Sequence, residues 1–279
     1  MKIDLHLHTT MSDGQKSIEE ILELANACGV DALAITNHDI EESLEPYFAF
    51  AKKKNIQLIE GIELSALVNN NIEVHILGYN IDTKNAQLRT VCQSMLVKRS
   101  ERLKKILALL SNQGINIGLE EIMLGERGLA SRMHIAYTLA EKGYARTPAE
   151  ALEKYLSVGK QAYIPNQALA LKEAIQLILN AGGVPILAHP FRYKLTETEL
   201  ELLIKVCLEY GIKGIEVFYP SHNEQERQFL LKLCARLNLI PTSGTDYHRG
   251  SKDEYLERLE KCKMTVPSSL LLELVNNNR

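Results

Sequence analysis

The sequence predicts an α/β protein built as a βα barrel with a mostly helical insert. Two observations predict the barrel: strand-like segments alternate with segments of helical spacing early in the chain, and the same alternation returns near its end. A third observation predicts the insert, because the alternation is lost between about residues 114 and 165. A length of 279 residues accommodates one such barrel together with an insert.

The opening segment predicts the first strand and the first helix. Residues 2–9 alternate strictly, so their apolar side chains fall on one face and His6 and His8 fall on the other. The next segment has the apolar spacing of a helix, with a capping box that starts at Ser17 and Gly29 as the stop. A strand followed directly by a helix is the repeating unit of such a barrel.

The remaining elements follow the same pattern, and their alternation implies parallel βα units. The predicted strands cover residues 31–39, 56–65, 73–82, 184–190, 213–219 and 239–248, and the predicted helices cover residues 45–55, 84–113, 196–210 and 224–238. Residues 114–165 predict short helices and loops instead. We therefore expect a barrel made of residues 1–84 and 166–279 and an insert made of residues 85–165.

Composition and charge exclude several classes of protein. The net charge is −3 and no long run of Lys and Arg is present, so a duplex-DNA-binding protein is not expected. The five cysteines form no CxxC pair, which favours a reducing compartment over a disulfide framework. No apolar stretch has the length of a membrane span and no signal peptide is visible, so we expect a cytoplasmic protein without a membrane contact. Nothing in the sequence points to a required protein partner.

Histidines and carboxylates recur along the predicted strands, and most of them stand where a strand ends. Six of the eight histidines belong to this set. Its members are His6, His8, Asp13, His38, Glu63, His75, His189, Asp246 and His248. In a closed parallel barrel the carboxyl ends of all strands meet at one rim, so we expect these side chains to converge.

Such a set predicts a metal centre. His6 and His8 stand two residues apart on a strand and point the same way, so they can share one ion. Nine nitrogen and oxygen ligands suffice for two or three divalent ions, and the mixture of imidazole and carboxylate suits Mn²⁺, Fe²⁺ or Zn²⁺. Taken singly, each residue has a common alternative role: a lone histidine is more often a hydrogen-bonded core residue, and Asp13 before a glycine could simply form a turn. The prediction depends on the whole set, not on any one member.

The motifs that carry these residues resemble those of the PHP family (polymerase and histidinol phosphatase). The resemblance runs from residue 1 to about residue 249, through DLHLHTTMSDG, TNHD, GIELS, VHILGY, AHP and GTDYH. It implies a distorted (β/α)7 barrel with a trinuclear metal centre. The three implied ligand sets are His6, His8, Glu63 and Asp246; Glu63, His75 and His189; and Asp13, His38 and His248. The sequence has a matching residue at each of these positions.

The insert indicates a branch of that family. Residues 129–136, LASRMHIA, and residues 159–165, GKQAYIP, are similar to the branch that hydrolyses nucleoside 3′,5′-bisphosphates and trims RNA from its 5′ end (RNase AM-like). Ser131, Met133 and Gln161 depart from the residues usual there, whereas Arg132 and His134 are retained. The resemblance implies that Arg132 and His134 act in catalysis and substrate binding, since a guanidinium grips phosphate and a histidine can protonate a leaving alkoxide.

Two further residues are candidates for substrate binding, although each could equally belong to loop structure. They are Arg192 and His222. The predicted function is a metal-dependent phosphoesterase that removes the 3′-phosphate of nucleoside 3′,5′-bisphosphates or trims short single-stranded RNA. The alternatives are a histidinol-phosphate phosphatase or another small phosphomonoesterase, and a regulatory PHP module without catalytic activity.

Overall fold

The computed structural model describes residues 2–69, 72–122 and 131–264. Its strands are β1 (Ile3–Leu7), β2 (Ala32–Ile35), β3 (Gln57–Val68), β4 (Ile72–Tyr79), β5 (Leu169–Ala170), β6 (Val184–Leu187), β7 (Gly214–Phe218) and β8 (Ile240–Ser243). Within these described ranges, seven strands follow one another in the order β1-β2-β3-β4-β6-β7-β8, and β5 pairs with β3 off this path. The backbone of His8 donates to Tyr247 O at 3.1 Å, which brings the segment after β8 back to β1. The predicted barrel fold is thereby confirmed.

The helices surround this barrel and fill the insert. They are α1 (Ile18–Ala27), α2 (Phe48–Lys53), α3 (Ala86–Ser111), α4 (Arg132–Glu141), α5 (Pro148–Ala151), α6 (Leu171–Asn180), α7 (Glu197–Glu209), α8 (Glu224–Leu237) and α9 (Lys252–Lys261). The capping box at Ser17 is formed, and Gly29 has the left-handed φ of 70° that favours glycine at a helix stop. Among the described residues, no helix combines the length and the apolar character needed to cross a membrane.

The prediction of parallel units throughout was wrong at β4, which runs antiparallel to both of its neighbours, β3 and β6. The physical reason lies in the short connection between β3 and β4, because a tight turn can join only antiparallel strands. Asn69 has a left-handed φ of 49° at the start of that connection; Asn70 and Asn71, which the sequence placed in the same polar turn, lie outside the described residues. The polar turn is visible in the sequence, and a connection this short is compatible only with antiparallel pairing.

The direction of β4 moves the origin of the insert. Tyr79 at the carboxyl end of β4 pairs with Val184 at the start of β6, so this end lies at the face of the barrel where the parallel strands begin. The chain therefore enters the insert from the end of the barrel opposite the metal-bearing rim. Helix α3 spans 26 residues, about 39 Å at the rise of an α-helix, and its middle brings Arg99 and Arg102 to the metal-bearing end.

The insert helices have an apolar cluster of their own. It joins the second half of α3 to α4, α5 and the residues near Ala162, and its largest members include Leu103, Ile106 and Leu139. This cluster supports the division into barrel and insert at residues 85 and 165, which stays a prediction. Helix α6 was not predicted, although its apolar residues Leu171, Ile175 and Ile178 follow helical spacing and pack against the barrel.

Candidate metal-dependent active site

All nine predicted ligand residues meet at one mouth of the barrel. His6 lies in β1 and His8 just after it, whereas Glu63 lies in the middle of the long strand β3 and not after its end as predicted. The segment after β2 remains beside β3, because His38 and Glu63 form an isolated parallel bridge. Strand register therefore places side chains that are far apart in sequence in one cluster.

Glu63 is the centre of this cluster and is fully buried. Five imidazoles approach its two oxygens: Oε1 lies 2.8 Å from His75 Nδ1 and 3.1 Å from His189 Nε2, and Oε2 lies 3.0 Å from His38 Nδ1 and 3.2 Å from the Nε2 atoms of His6 and His8. Burial alone would raise the pKa of Glu63, but the surrounding imidazoles hold this pKa well below its ordinary value. The carboxylate is therefore charged and able to bridge cations.

A second group of ligands surrounds Asp13. Its carboxylate lies 3.2 Å from His248 Nε2, 3.6 Å from His8 Nδ1 and 3.8 Å from His38 Nε2. The rings of His8 and His248 stack with centroids 4.0 Å apart. His8 and His38 thus face both Asp13 and Glu63, so the two groups of ligands adjoin.

The chemistry of these donors fits divalent cations. Several buried atoms make no contact with hydrogen-bond geometry within the described residues, although most of them lie within ion-pair distance of a neighbouring ligand atom. They are the Nε2 of His6, both ring nitrogens of His8, the Nδ1 atoms of His38 and His189, and the Oε2 of Glu63. An unpaired buried polar atom costs about 1–3 kcal/mol, so several such atoms at one point fit a site that binds cations. Ligand atoms within 4.8 Å of one another form three groups: His6, His8, Glu63 and Asp246; His8, Asp13, His38 and His248; and His38, Glu63 and His75.

The backbone is strained at two of these residues. His189 has φ 23° and Asp246 has φ 51°, values that residues with a side chain rarely adopt. Such conformations persist where the surrounding structure enforces them, and they are concentrated at functional sites. Here they turn both side chains inward at the ends of β6 and β8.

Glu216 on β7 supports the cluster and was missed by the sequence analysis. Its Oε1 lies 3.0 Å from His6 Nδ1, and its Oε2 accepts from the backbone N–H of His189 at 2.7 Å. The contact with His6 Nδ1 orients this ring so that Nε2 faces Glu63, and the bond from His189 holds the carboxylate in place. A signal was available, because a charged residue inside the apolar strand segment GIEVF is unusual for a fully buried position.

Two tyrosines complete this support. Tyr219 Oη donates to Asp246 Oδ2 at 2.8 Å, and Tyr193 Oη donates to Ala188 O at 2.7 Å while accepting from the backbone N–H of His75 at 3.0 Å. The sequence offered no distinct signal for either residue, since tyrosines at such positions are common in any core.

A cavity of about 710 Å³ opens above the cluster, and residues of the insert form its opposite wall. Arg132 and His134, both predicted from the insert motif, line it beside Arg102 and Tyr137. Leu129 and Ala130 of the same motif lie outside the described residues. A cavity of this size accommodates a small molecule such as a nucleotide.

Arg192 also lines the cavity, but its guanidinium is already engaged. Its Nη1 donates to Asp246 Oδ2 at 2.7 Å and to Tyr219 Oη at 3.0 Å. This arrangement fixes Asp246 and leaves the other nitrogens of Arg192 to meet a ligand. Substrate binding by Arg192 stays a prediction.

His222 is not among the cavity-lining residues in the described part of the chain. Its ring is 3% exposed, its Nδ1 lies 2.9 Å from Val217 O, and it packs between Phe191 and Tyr219. The geometry therefore does not support the predicted contact of His222 with substrate. The loop histidine is held by the backbone of β7 and turned into the core.

A barrel mouth that gathers imidazole and carboxylate ligands beside an arginine-bearing cavity defines a class: metal-dependent hydrolases of phosphate esters. The chain belongs to the PHP domain family, whose model matches residues 4–161. The predicted family is thereby confirmed.

Several relatives show how far the similarity extends. The chain is 33% identical to the 5′-3′ exoribonuclease Rnm of Escherichia coli, over 88% of this chain and 85% of the relative. It is 32% identical to a 3′,5′-nucleoside bisphosphate phosphatase of Chromobacterium violaceum, over 90% of each. It is 31% identical to a phosphoribosyl 1,2-cyclic phosphate 1,2-diphosphodiesterase of Eggerthella lenta, over 88% of this chain and 93% of the relative.

Solved structures agree with this relationship. A Chromobacterium violaceum protein described as an amidohydrolase with bound sulfate and no metal superposes with a TM-score of 0.84 at 32% identity, covering 91% of this chain and 89% of that one. A protein of Bifidobacterium adolescentis described as a metal-dependent phosphoesterase gives a TM-score of 0.79 at 26% identity, covering 94% and 97%. Both comparisons extend over barrel and insert together.

Proposed function

We propose that the protein removes the 3′-phosphate of nucleoside 3′,5′-bisphosphates and trims short single-stranded RNA from the 5′ end. The observation that carries this proposal is the position of Arg132, which lines the same cavity as the metal ligands but stands on the insert. One wall of the cavity can therefore engage the reacting phosphate while the other engages a second phosphate.

The names of the relatives support a substrate with two phosphates. A nucleoside 3′,5′-bisphosphate and a phosphoribosyl cyclic phosphate each carry a reacting phosphate and another phosphate on the same ribose. The 5′ end of an RNA can present the same pair, with the reacting phosphate esterified to the next nucleotide. One cavity can thus serve both the phosphatase and the exonuclease reactions.

The residues that would hold the metals are the nine of the cluster. We assign His6, His8, Glu63 and Asp246 to one ion, Asp13, His38 and His248 to another, and His75 and His189 with the bridging Glu63 to a third. Divalent Mn²⁺, Fe²⁺ or Zn²⁺ bound there would neutralise phosphate charge and lower the pKa of a water.

His134 supplies a hydrogen-bond donor on the facing wall. The backbone N–H of Ser131 donates to His134 Nδ1 at 3.0 Å, so the neutral ring must carry its proton on Nε2. Burial lowers the pKa of His134, which favours this neutral form. We propose that Nε2–H donates to a phosphate oxygen or to the leaving oxygen.

The test is a phosphate-release screen of the purified protein with Mn²⁺. The substrates are nucleoside monophosphates, 3′,5′-bisphosphates, 5′-phosphorylated RNAs of a few nucleotides, histidinol phosphate and duplex DNA. We expect the bisphosphates and short RNAs to give the highest kcat/KM. Preference for histidinol phosphate, supported by growth of a histidine auxotroph carrying this gene, would replace the proposal by the phosphatase alternative.

The same screen addresses the regulatory alternative, since a catalytically inactive protein with full metal content would support it. Faster degradation of long duplex DNA than of bisphosphates would also contradict the proposal. We further propose that the protein acts in the cytoplasm, in keeping with five cysteines that are all unpaired and buried.

A further inference from the structure

Three arginines of the insert, Arg99, Arg102 and Arg132, meet at the cavity wall beside β4. Two of them face a carboxylate: Arg99 is ion-paired with Asp39, and Arg132 Nη2 lies 3.5 Å from Glu73 Oε2. The third, Arg102, has no carboxylate within ion-pair distance among the described residues. The positive charge of this wall is therefore only partly compensated.

Arg102 is unusual because its head group is buried without a full set of partners. The residue is 8% exposed, its Nε donates to Ile164 O at 2.9 Å, and its Nη2 has no hydrogen-bond partner within the described chain. Even so, the side chain lines the cavity. Arginines are rarely buried in this way unless an anion or a carboxylate meets them.

The electrostatic surroundings make the unpaired guanidinium costly. Burial, followed by the like charge of Arg132, lowers the pKa of Arg102 to about 10. The nearby carboxylate of Glu73 is already shared, since its Oε1 accepts from Asn166 Nδ2 at 2.7 Å while its Oε2 faces Arg132. An anion in the cavity would satisfy Arg102 and screen its repulsion from Arg132.

We propose that Arg102, together with Arg132, binds the non-reacting phosphate of the substrate and so determines the preference for substrates with two phosphates. The inference rests on the proposed function and deepens it. A terminal phosphate offers several acceptor oxygens to two planar guanidinium groups, which is the arrangement that arginine recognises best. Arg132 approaches from α4, where Tyr163 lies 5.9 Å below its guanidinium, and Arg102 approaches from α3.

The decisive comparison uses two substrates that differ only in the non-reacting phosphate. Adenosine 3′,5′-bisphosphate and adenosine 3′-monophosphate share the reacting 3′-phosphate, and only the first carries a 5′-phosphate. We expect Arg102→Gln to lower kcat/KM for the bisphosphate by about 10- to 100-fold, the range for a lost hydrogen-bonded contact between charged groups. For the 3′-monophosphate we expect a change of less than about twofold.

The control is Lys105→Gln, which removes a positive charge from the exposed face of the same helix. This variant should have the kcat/KM of the wild type for both substrates. The unfolding temperature of Arg102→Gln should equal or exceed that of the wild type, because the variant no longer buries an unpaired charge. Equal losses on both substrates, or a marked fall in the unfolding temperature, would show a structural role for Arg102 and overturn the proposal.

A binding measurement separates this inference from the proposed function. Isothermal titration calorimetry of adenosine 5′-monophosphate with the Mn²⁺-loaded protein is compared between wild type and Arg102→Gln. If the wild type hydrolyses neither adenosine phosphate, the proposed function fails and this measurement alone decides about Arg102. Weaker binding to the variant supports the phosphate site, and unchanged binding overturns it.

Discussion

The two walls of the cavity are built in different ways. At the barrel mouth the ligands stand on or just after strands whose register is fixed by the sheet, and most are nearly inaccessible, as with His6 and Glu63 at 0% exposure. On the insert side the polar residues stand on helices, and Arg132 keeps 33% of its side chain exposed. The residues of the mouth are closely connected to one another, whereas Arg132 on the insert wall stays partly accessible.

This difference separates the residues that hold the metals from the residues that select the substrate. Several side chains converge on Glu63, so removal of one member disturbs the whole cluster. The insert residues contact few members of that cluster and can change substrate preference without changing the metals. Substitutions at the mouth should therefore affect every substrate, and substitutions of the arginines on the insert wall should affect mainly substrates with two phosphates.

The largest effect is expected for Glu63→Ala. The metal content of the variant should fall measurably, and its kcat/KM should fall by more than about 100-fold on every phosphoester. Substitution of residues that only orient a metal ligand already lowers metal affinity or activity by about 10- to 100-fold. His6→Ala, Asp13→Ala and Asp246→Ala should behave in the same way. Metal content is measured by elemental analysis, with Glu45→Ala as the control because its side chain is 74% exposed.

Near wild-type activity of Glu63→Ala with unchanged metal content would contradict the bridging role. A metal-to-protein ratio well below one in fully loaded wild-type protein would contradict the cluster itself.

A smaller effect, still common to all substrates, is expected for Glu216→Gln. The carboxylate serves two donors, His6 Nδ1–H and the backbone N–H of His189, and an amide has only one oxygen to offer them. We expect metal affinity and kcat/KM to fall by about 10- to 100-fold. Titration of metal-free protein with Mn²⁺ measures the affinity. Unchanged affinity in a folded variant would show that Glu216 does not support the metal centre.

The barrel mouth and the insert wall also differ in how far the sequence predicts them. His6 and His8 reveal a shared face through their spacing, and the recurrence of His, Asp and Glu at strand ends was enough to identify all nine side chains that the structure brings together. Glu216 escaped because its role depends on contact with His6, 210 residues away in sequence. The direction of β4 escaped because strand periodicity is the same for parallel and antiparallel pairing.

The insert was harder to predict. Arg102 shares the apolar face of α3 with Met95 and Ile106, and this spacing indicates a buried position but not the group that the guanidinium meets there. Its importance arises only when α3, having started at the opposite end of the barrel, returns beside β4. Helical spacing shows which residues share a face, but not which part of a long helix reaches a cavity.

An effect restricted to substrates with two phosphates is expected for Arg132→Ala. We expect the variant to retain its metals and to lose about 1–3 kcal/mol of transition-state binding on a 3′,5′-bisphosphate, the range for a lost charge-assisted contact. For a generic monoester such as p-nitrophenyl phosphate, the loss of transition-state binding in the variant should be much smaller. The control is Arg146→Ala, an insert arginine whose side chain is 90% exposed.

Equal losses of kcat/KM on both substrates would mean that Arg132 contacts the reacting phosphate or is needed for folding. No loss on either would make it a solvated helix residue, and the comparison between the two walls would then rest on Arg102 alone.

The smallest catalytic effect is expected for His222→Gln, because His222 belongs to neither wall. Its ring is held by Val217 O and by contacts with Phe191 and Tyr219, so the substitution removes a hydrogen bond and some packing but no group that faces the cavity. We expect a loss of about 1–3 kcal/mol in the free energy of unfolding. Tyr219 also donates to Asp246, so a slight disturbance can reach the metal centre, but kcat/KM for the bisphosphate should stay within about twofold of wild type. Denaturant unfolding and steady-state kinetics measure the two quantities separately. A large fall in kcat/KM at unchanged stability would return His222 to the substrate, and would mean that a third surface, formed by the loop after β7, takes part in selection.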